Sequence, residues 1–93
     1  MRAKRTDANQ QATMDALRDI GATVQDLHIV GDGCPDLLVG YQNITLLVET
    51  KVATGKVRDN QTAWHRLWRG SEVIVSYSPE DAVKKVRFAV WHL

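Results

Sequence analysis

The 93-residue sequence predicts an α/β domain with a mixed sheet of about four strands flanked by helices, in the order α-β-β-β-α-β-α. Apolar residues recur at helical spacing in 13–20 and again in 64–68, whereas 37–39 and 44–48 are continuous apolar runs typical of strands. The segment 40–43 between those runs is rich in turn formers and predicts a hairpin. At this length we expect a single domain over 1–93, with a basic tail at 1–5 and a C-terminal tail at 88–93.

The first element is predicted to be a helix that starts at Asp7 as the N-cap and ends at Gly21, a residue suited to the position after a helix. Residues 22–30 alternate loosely between apolar and polar and predict a strand. The buried face of the helix is predicted to carry Thr13, Ala16, Leu17 and Ile20.

Two further strands follow as a hairpin, over 37–39 and 44–50. Because their apolar character is continuous, we expect both faces of these strands to be buried, with helices covering the sheet. A polar loop over 53–58 comes next.

The second helix is predicted over about 60–69, with Asp59 as its cap and Gly70 as its stop. Its apolar stripe consists of Trp64, Leu67 and Trp68. We interpret this stripe as core and not as a base-stacking surface. A short buried strand over 73–75 precedes the last helix, whose start is marked by Ser-Pro-Glu-Asp at 78–81 and whose end among 88–93 the sequence leaves open.

Composition favours a folded intracellular protein. The hydrophobic fraction is 44%, with three tryptophans, which argues against disorder. Cys34 is the only cysteine, so no intrachain disulfide is possible and a reducing cytoplasm is expected. No apolar run approaches the roughly 18 residues that span a bilayer, and residues 1–5 lack the apolar stretch of a signal peptide. We therefore expect a cytoplasmic protein without a membrane partner.

The net charge of +1 conceals an uneven distribution. Residues 1–5 carry three positive charges, residues 6–50 have a balance of −6, and residues 51–69 have a balance of +4. A basic segment of this kind suits a polyanion such as DNA, although a solvated helix face explains part of it equally well. The candidate DNA contacts are Lys4, Arg5, Lys56, Arg58, His65, Arg66 and Arg69.

Charged residues at the ends of the hairpin strands form the candidate site. Glu49 and Lys51 stand two positions apart in a strand and therefore share one face. Asp36 precedes the neighbouring strand and reaches the same side if the two strands pair. Charges are not expected beside such an apolar run unless they are paired or bind a ligand. The alternative is a structural salt bridge on a solvated rim.

Two carboxylates suit a hard divalent cation, and Mg²⁺ or Mn²⁺ is the predicted cofactor. Asp36 and Glu49 are the predicted ligands, and the Thr50 backbone carbonyl supplies a third oxygen. With one cysteine, and with His28 and His92 lacking partners at ligand spacing, a zinc site of the usual kind is not expected.

Gln61 and His65 stand four residues apart on the second helix and share a face. Gln61 can donate a hydrogen bond toward the metal site or a phosphate. His65 is either a DNA contact or a structural histidine, and the latter interpretation is favoured.

With these pieces in order, the chain resembles the PD-(D/E)XK nuclease superfamily, and within it the small, stand-alone, phage-type members of the VRR-NUC family. The likeness spans about residues 6–87. Its motifs are Asp-Ala-Asn-Gln at 7–10, Gly-Cys-Pro-Asp-Leu-Leu-Val-Gly at 33–40, Val-Glu-Thr-Lys at 48–51, Asp-Asn-Gln-Thr-Ala-Trp-His at 59–65 and Trp-Arg-Gly at 68–70.

The resemblance implies a restriction-endonuclease-like core and a metal-dependent endonuclease encoded by a phage or bacterium. It assigns metal ligation to Asp36 and Glu49, the nucleophile or scissile phosphate to Lys51, and support of the site to Gln61. It also implies a homodimer that acts on branched DNA such as Holliday junctions, and symmetric cutting of two strands by single sites needs such a two-fold pair.

One position departs from the family pattern. Members often carry a glutamate in the first helix near the position of Ala12, and the nearest acids are Asp7 and Asp15. Asp15 lies about one turn from Ala12, and we do not count it as a replacement. The departure implies a slower enzyme or the use of a single ion.

Two other functions stay open at this stage. One is a nucleic-acid-binding module on the same fold without catalysis, which the missing acid favours. The other is an interaction protein that uses an exposed sheet edge, for which DNA affinity would be weak and insensitive to salt.

Overall fold

The computed structural model describes residues 8–52 and 59–92, and these form three helices and four strands in the predicted order. The elements are α1 (Ala8–Asp19), β1 (Thr23–Asp26), β2 (Leu37–Tyr41), β3 (Ile44–Thr50), α2 (Asp59–Leu67), β4 (Ile74–Ser76) and α3 (Pro79–Trp91). In the part of the chain that is described, no helix combines the length and apolar character needed to cross a bilayer.

The sheet is mixed, with strand order β1-β2-β3-β4. β1, β2 and β3 pair antiparallel, and β4 pairs parallel with β3 at the edge. The hairpin between β2 and β3 turns at Gln42 and Asn43, whose φ angles of 49° and 67° are those of a two-residue type I′ turn. The predicted α/β fold class is confirmed.

The core lies on one face of the sheet, beneath α1 and α3. Leu37 and Val39 of β2 and Val48 of β3 are fully buried there against Leu17 of α1 and Val86 of α3. These strand residues face the same side because Leu37 pairs with Val48 and alternate residues share a face. Packing against α1 and α3 therefore fixes the positions of β2 and β3.

Burial of both hairpin strands on both faces was predicted, and this is correct for β3 but wrong for β2. Residues 46–50 of β3 are all buried. Leu38 of β2, on the face opposite the core, is 38% exposed. Both α1 and α3 pack on the core face, so the second face of β2 lacks a helical cover among the described residues.

α1 ends as predicted at Gly21, which has a φ of 96°. The amide of Gly21 donates to the Arg18 carbonyl at 3.0 Å, and the amide of Ala22 donates to the Leu17 carbonyl at 3.0 Å. This pair of bonds is the Schellman arrangement that satisfies the last carbonyls of a helix. The predicted N-cap, Asp7, lies outside the described residues.

The strand predicted over 22–30 is shorter than expected. β1 stops at Asp26, and Ile29 and Val30 are 74% and 57% exposed in the turn that follows. β2 offers pairing partners only from Leu37 onward, so the apolar residues beyond Asp26 have no strand beside them.

α2 also differs from its prediction. The stripe of Trp64, Leu67 and Trp68 was expected to be core, but no residue of α2 is buried and Leu67 is 72% exposed. Trp64 and His65 are half-buried, whereas Leu67 and Trp68 are exposed, so part of the apolar face of this helix stays open.

α3 begins as predicted, with Ser78 as N-cap and Pro79 in the first turn. The Ser78 hydroxyl accepts from the Asp81 amide at 3.0 Å, and the Asp81 carboxylate accepts from the Tyr77 amide at 3.0 Å. Hydrogen bonds from Lys85 and Tyr77 and the charges of Lys85 and Lys84 outweigh the opposing effect of burial and lower the pKa of Asp81. The helix continues to Trp91, so residues 88–91 are helical.

Candidate active site

Asp36 and Glu49 both lie at the open end of the β2–β3 hairpin. Leu37 pairs with Val48, so Asp36, which precedes Leu37, and Glu49, which follows Val48, stand at the same end of the two strands. One oxygen of the Asp36 carboxylate, Oδ2, accepts hydrogen bonds from the Thr50 amide and the Thr50 hydroxyl, each at 2.9 Å. These two bonds fix the position of the carboxylate at the strand end.

Glu49, Lys51 and Gln61 form one hydrogen-bonded cluster. The Gln61 amide donates to Glu49 Oε2 at 2.8 Å, and Lys51 Nζ donates to Gln61 Oε1 at 2.7 Å. Lys51 Nζ also lies 3.8 Å from Glu49 Oε2. Glu49 is 1% exposed, and a carboxylate so deeply buried requires polar partners of this kind. The structure thus brings together three of the residues singled out from the sequence.

Gly33 sets the position of α2 over this cluster. Its φ is 85°, a conformation that glycine adopts readily, and a Cβ at this position would collide with the backbone carbonyl of Asn60. The loop before β2 and the first turn of α2 are therefore in close contact. This contact delivers Gln61 to Glu49 and Lys51.

α1 reaches the site through Asn9. Its side-chain amide donates to the Lys51 carbonyl at 3.1 Å. Ala12, near which the resemblance led us to expect a glutamate, is exposed, and so is Asp15, which accepts from Gln11 at 3.0 Å. Among the described hydrogen bonds, the contact of α1 with the site is that of Asn9.

Two pKa shifts reflect the charges of the site. Burial, followed by the negative charges of Glu49 and Asp36, raises the pKa of the Cys34 thiol. Burial and the positive charge of Lys51 lower the pKa of His65. The lowered pKa favours the neutral form of the His65 imidazole, which offers no positive charge to a phosphate. The Nε2 atom of His65 is enclosed and has no hydrogen-bond partner among the described residues.

Asp36 and Glu49 offer the oxygen donors that a hard divalent cation prefers. In the described ranges 8–52 and 59–92, no group of three or more His, Cys, Asp or Glu side chains could hold a metal ion. Asp36 and Glu49 are two, and one or two carboxylates are what Mg²⁺ ordinarily takes from a protein, with water completing its shell. Since the charges of both acids act on Cys34, the negative potential here favours a cation. The donor set does not suit zinc, which prefers nitrogen and sulfur.

The predicted DNA contacts are only partly described. Arg66 and Arg69 are exposed on α2 and just beyond its end, and Arg69 Nη1 donates to the carbonyls of Arg66 and Leu67 at 3.0 and 3.3 Å. Lys4, Arg5, Lys56 and Arg58 lie outside the described residues.

Sequence reasoning missed three contributors to the site. The hydroxyl and amide of Thr50 anchor Asp36, although only the Thr50 carbonyl was considered. Asn9 braces the end of β3, and Cys34 lies within reach of both acids. Asn9 and Cys34 each stand inside a quoted motif, so their place in the sequence was a usable signal.

Comparison with known proteins agrees with this geometry. No family model matches the chain, and no curated protein matches it. A solved structure of a VRR_NUC domain superimposes with a TM-score of 0.70 at 26% identity, covering 84% of this chain and 89% of that chain. The fold, the strand-end acids and this match agree with the family expected from the motifs. The chain therefore has the nuclease-type fold of a VRR_NUC domain, and this match supports the family expected from the motifs.

Proposed function

We propose that the protein is a divalent-metal-dependent DNA endonuclease that hydrolyses phosphodiesters and is selective for branched DNA such as Holliday junctions. Its main support is the cluster in which Gln61 joins the buried Glu49 to Lys51, with Asp36 bonded to Thr50 at the same strand end. Burying these charges costs stability, and such a cost is typical of a site kept for function.

Asp36 and Glu49 would hold Mg²⁺ or Mn²⁺, and the Thr50 carbonyl would contribute a third oxygen. When bound, the ion supplies Lewis acidity toward the phosphate and lowers the pKa of water. In the hydrolysis, the oxygen of a water molecule bonds to phosphorus, the phosphorus–oxygen ester bond breaks, and the leaving alkoxide takes up a proton.

In this proposal, Lys51 contacts the phosphate of the bond that is cleaved. Its ammonium group, held by Gln61 Oε1 at 2.7 Å, stabilises the negative charge that develops on the phosphate oxygens. Gln61 is a positioning residue, because it orients both the lysine and Glu49 through one side-chain amide. Asn9 fixes the Lys51 backbone from the side of α1.

The test compares a synthetic four-way junction with a linear duplex of matched sequence, with Mn²⁺ or with a chelator. Wild-type protein is expected to make paired nicks near the branch only with Mn²⁺. Asp36→Asn and Lys51→Ala should lose about 10²- to 10³-fold in cleavage rate while junction binding persists. Asp32→Asn is the matched control, since Asp32 is an exposed acid in the same loop.

A second measurement does not depend on activity. Mn²⁺ at ten times its Kd should raise the free energy of unfolding of the wild type by about 1.4 kcal/mol, and Asp36→Asn should abolish this increase. Junction binding without any metal-dependent cleavage or stabilisation would instead identify a non-catalytic nucleic-acid-binding module.

We further propose that the active form is a homodimer, because paired incisions at a junction require two sites related by a two-fold axis. Large apolar side chains exposed near the end of α3 support an interface there. Phe88 is 60% exposed and Trp91 is 66% exposed. Such a patch on a small domain is suited to a second subunit.

A further inference from the structure

The apolar face of α2 carries two tryptophans that pack against each other in a partly open position. The rings of Trp64 and Trp68 are stacked, with centroids 5.0 Å apart and an interplanar angle of 18°. Trp68 is 42% exposed. A large aromatic surface left open in this way is suited to a ligand.

These indoles lie on the face of α2 that carries Gln61. At about 100° per residue, Trp64, His65 and Trp68 all fall within about 60° of Gln61 around the helix axis. Gln61 bonds to Glu49 and Lys51, and the charge of Lys51 lowers the pKa of His65. Trp68 stands about 10 Å from Gln61 along the axis, two turns from the site.

The surroundings of Trp68 form a groove that has both apolar and charged parts. The groove has a volume of about 430 Å³, and its lining includes His65 and Arg66 of α2, Trp68 directly after the helix, the acid Glu72, and Val73 and Val75 on the β4 side. The combination of an indole and a neighbouring guanidinium suits a flat aromatic ring that carries a phosphate.

The Trp68 ring is held in place by the protein. Its Nε1–H donates to the Ser71 carbonyl at 3.0 Å, and Gly70 lies so close that a Cβ there would overlap the ring. Because the polar N–H is already engaged, the exposed indole surface offers stacking and not a base-specific hydrogen bond. Stacking of this kind tolerates any base.

We propose that Trp68, supported by Trp64, is a stacking platform for an unpaired base of the nucleic-acid substrate. This inference rests on the proposed nuclease function and extends it to substrate choice. Bases in a linear duplex are already stacked within the helix, whereas a branch point or frayed end presents a base that can leave its stack. Trp68 follows the helix face that carries Gln61, and the guanidinium of Arg66 lies in the same groove. These two features favour a nucleic acid over a protein partner. Trp68 thereby gives the site its preference for branched DNA.

The test measures equilibrium binding of the four-way junction and of the matched duplex, at fixed salt and in the Asp36→Asn background. Trp68→Ala should weaken junction binding by roughly 5- to 150-fold, the factor that corresponds to the loss of one stacked base. Duplex binding should change by less than about twofold. Leu67→Ala is the matched control, because Leu67 is 72% exposed on the same helix but points away from the Gln61 face.

Trp68→Leu separates the effect of ring stacking from that of apolar side-chain volume, since leucine is apolar but has no ring. Circular dichroism checks the fold of each variant. Equal losses on junction and duplex, or equal losses in Trp68→Ala and Leu67→Ala, would overturn the platform. A change in oligomeric mass in Trp68→Ala would identify a second copy of the chain as the occupant. If the wild type cleaves junctions and Trp68→Ala behaves identically, this inference alone fails. If the wild type binds no nucleic acid, the proposed function fails with it.

Discussion

Lys51 and Lys85 are two lysines paired with carboxylates that differ in burial. Lys51 lies 3.8 Å from Glu49, which is 1% exposed at its side chain, whereas Lys85 lies 2.9 Å from Asp81, which is 26% exposed. A carboxylate in water is solvated when its partner is removed, but a buried one is not. The shorter ion pair is therefore expected to contribute less to stability than the longer one.

We predict that Lys51→Met lowers the free energy of unfolding by roughly 1–3 kcal/mol, because it leaves the buried Glu49 without its cation. Lys85→Met should lower it by less than about 1 kcal/mol. Denaturant unfolding of the two variants against the wild type measures both values. Equal losses, or a larger loss in Lys85→Met, would show that burial of Glu49 does not govern the difference.

At the scale of elements, the position of α2 depends on a glycine in the preceding loop. Gly33 and Gly21 both have φ angles in the left-handed region, 85° and 96°. A Cβ at Gly33 would collide with the Asn60 backbone, whereas a Cβ at Gly21 would meet nothing within 4 Å. A comparison of alanine substitutions at the two positions therefore distinguishes the effect of backbone strain from the effect of losing the contact with α2.

We predict that Gly21→Ala and Gly33→Ala each lose roughly 1 kcal/mol of stability through strain, and that Gly33→Ala loses more through the collision. Only Gly33→Ala should impair metal-dependent cleavage, since a displaced first turn of α2 carries Gln61 away from Lys51 and Glu49. Thermal unfolding and junction cleavage of both variants provide the measurement. Full cleavage by a folded Gly33→Ala protein would contradict the role given to this contact.

At the scale of the whole molecule, the proposed dimer is expected to have twice the 10.4 kDa mass of the chain. Phe88→Asp should shift the protein to the monomer, because a charge placed in an apolar interface cannot be buried without a partner. Ile29→Asp is the control, as Ile29 is 74% exposed in the turn after β1. Light scattering after size exclusion measures the mass, and the monomer should nick single strands of a junction without pairing the cuts. A monomeric wild type that still makes paired cuts would refute the dimer.

The sequence by itself determined the order of the elements and the face shared by Glu49 and Lys51. Both follow from local periodicity, since alternate residues of a strand point the same way and apolar spacing marks helices. The turn residues at 42 and 43 likewise specify a tight hairpin, and its register puts Asp36 and Glu49 at the same strand end, beside the Leu37–Val48 pair.

Only the tertiary structure decided how the remaining parts meet. Asn9 bonds to the Lys51 backbone across 42 positions of sequence, and Gln61 joins Lys51 to Glu49 from a helix whose placement depends on Gly33. The same placement leaves Trp68 partly exposed, although its spacing is that of a core stripe. Periodicity states which residues share a face of a helix, but what that face meets depends on how loops close the chain, and no local pattern encodes that.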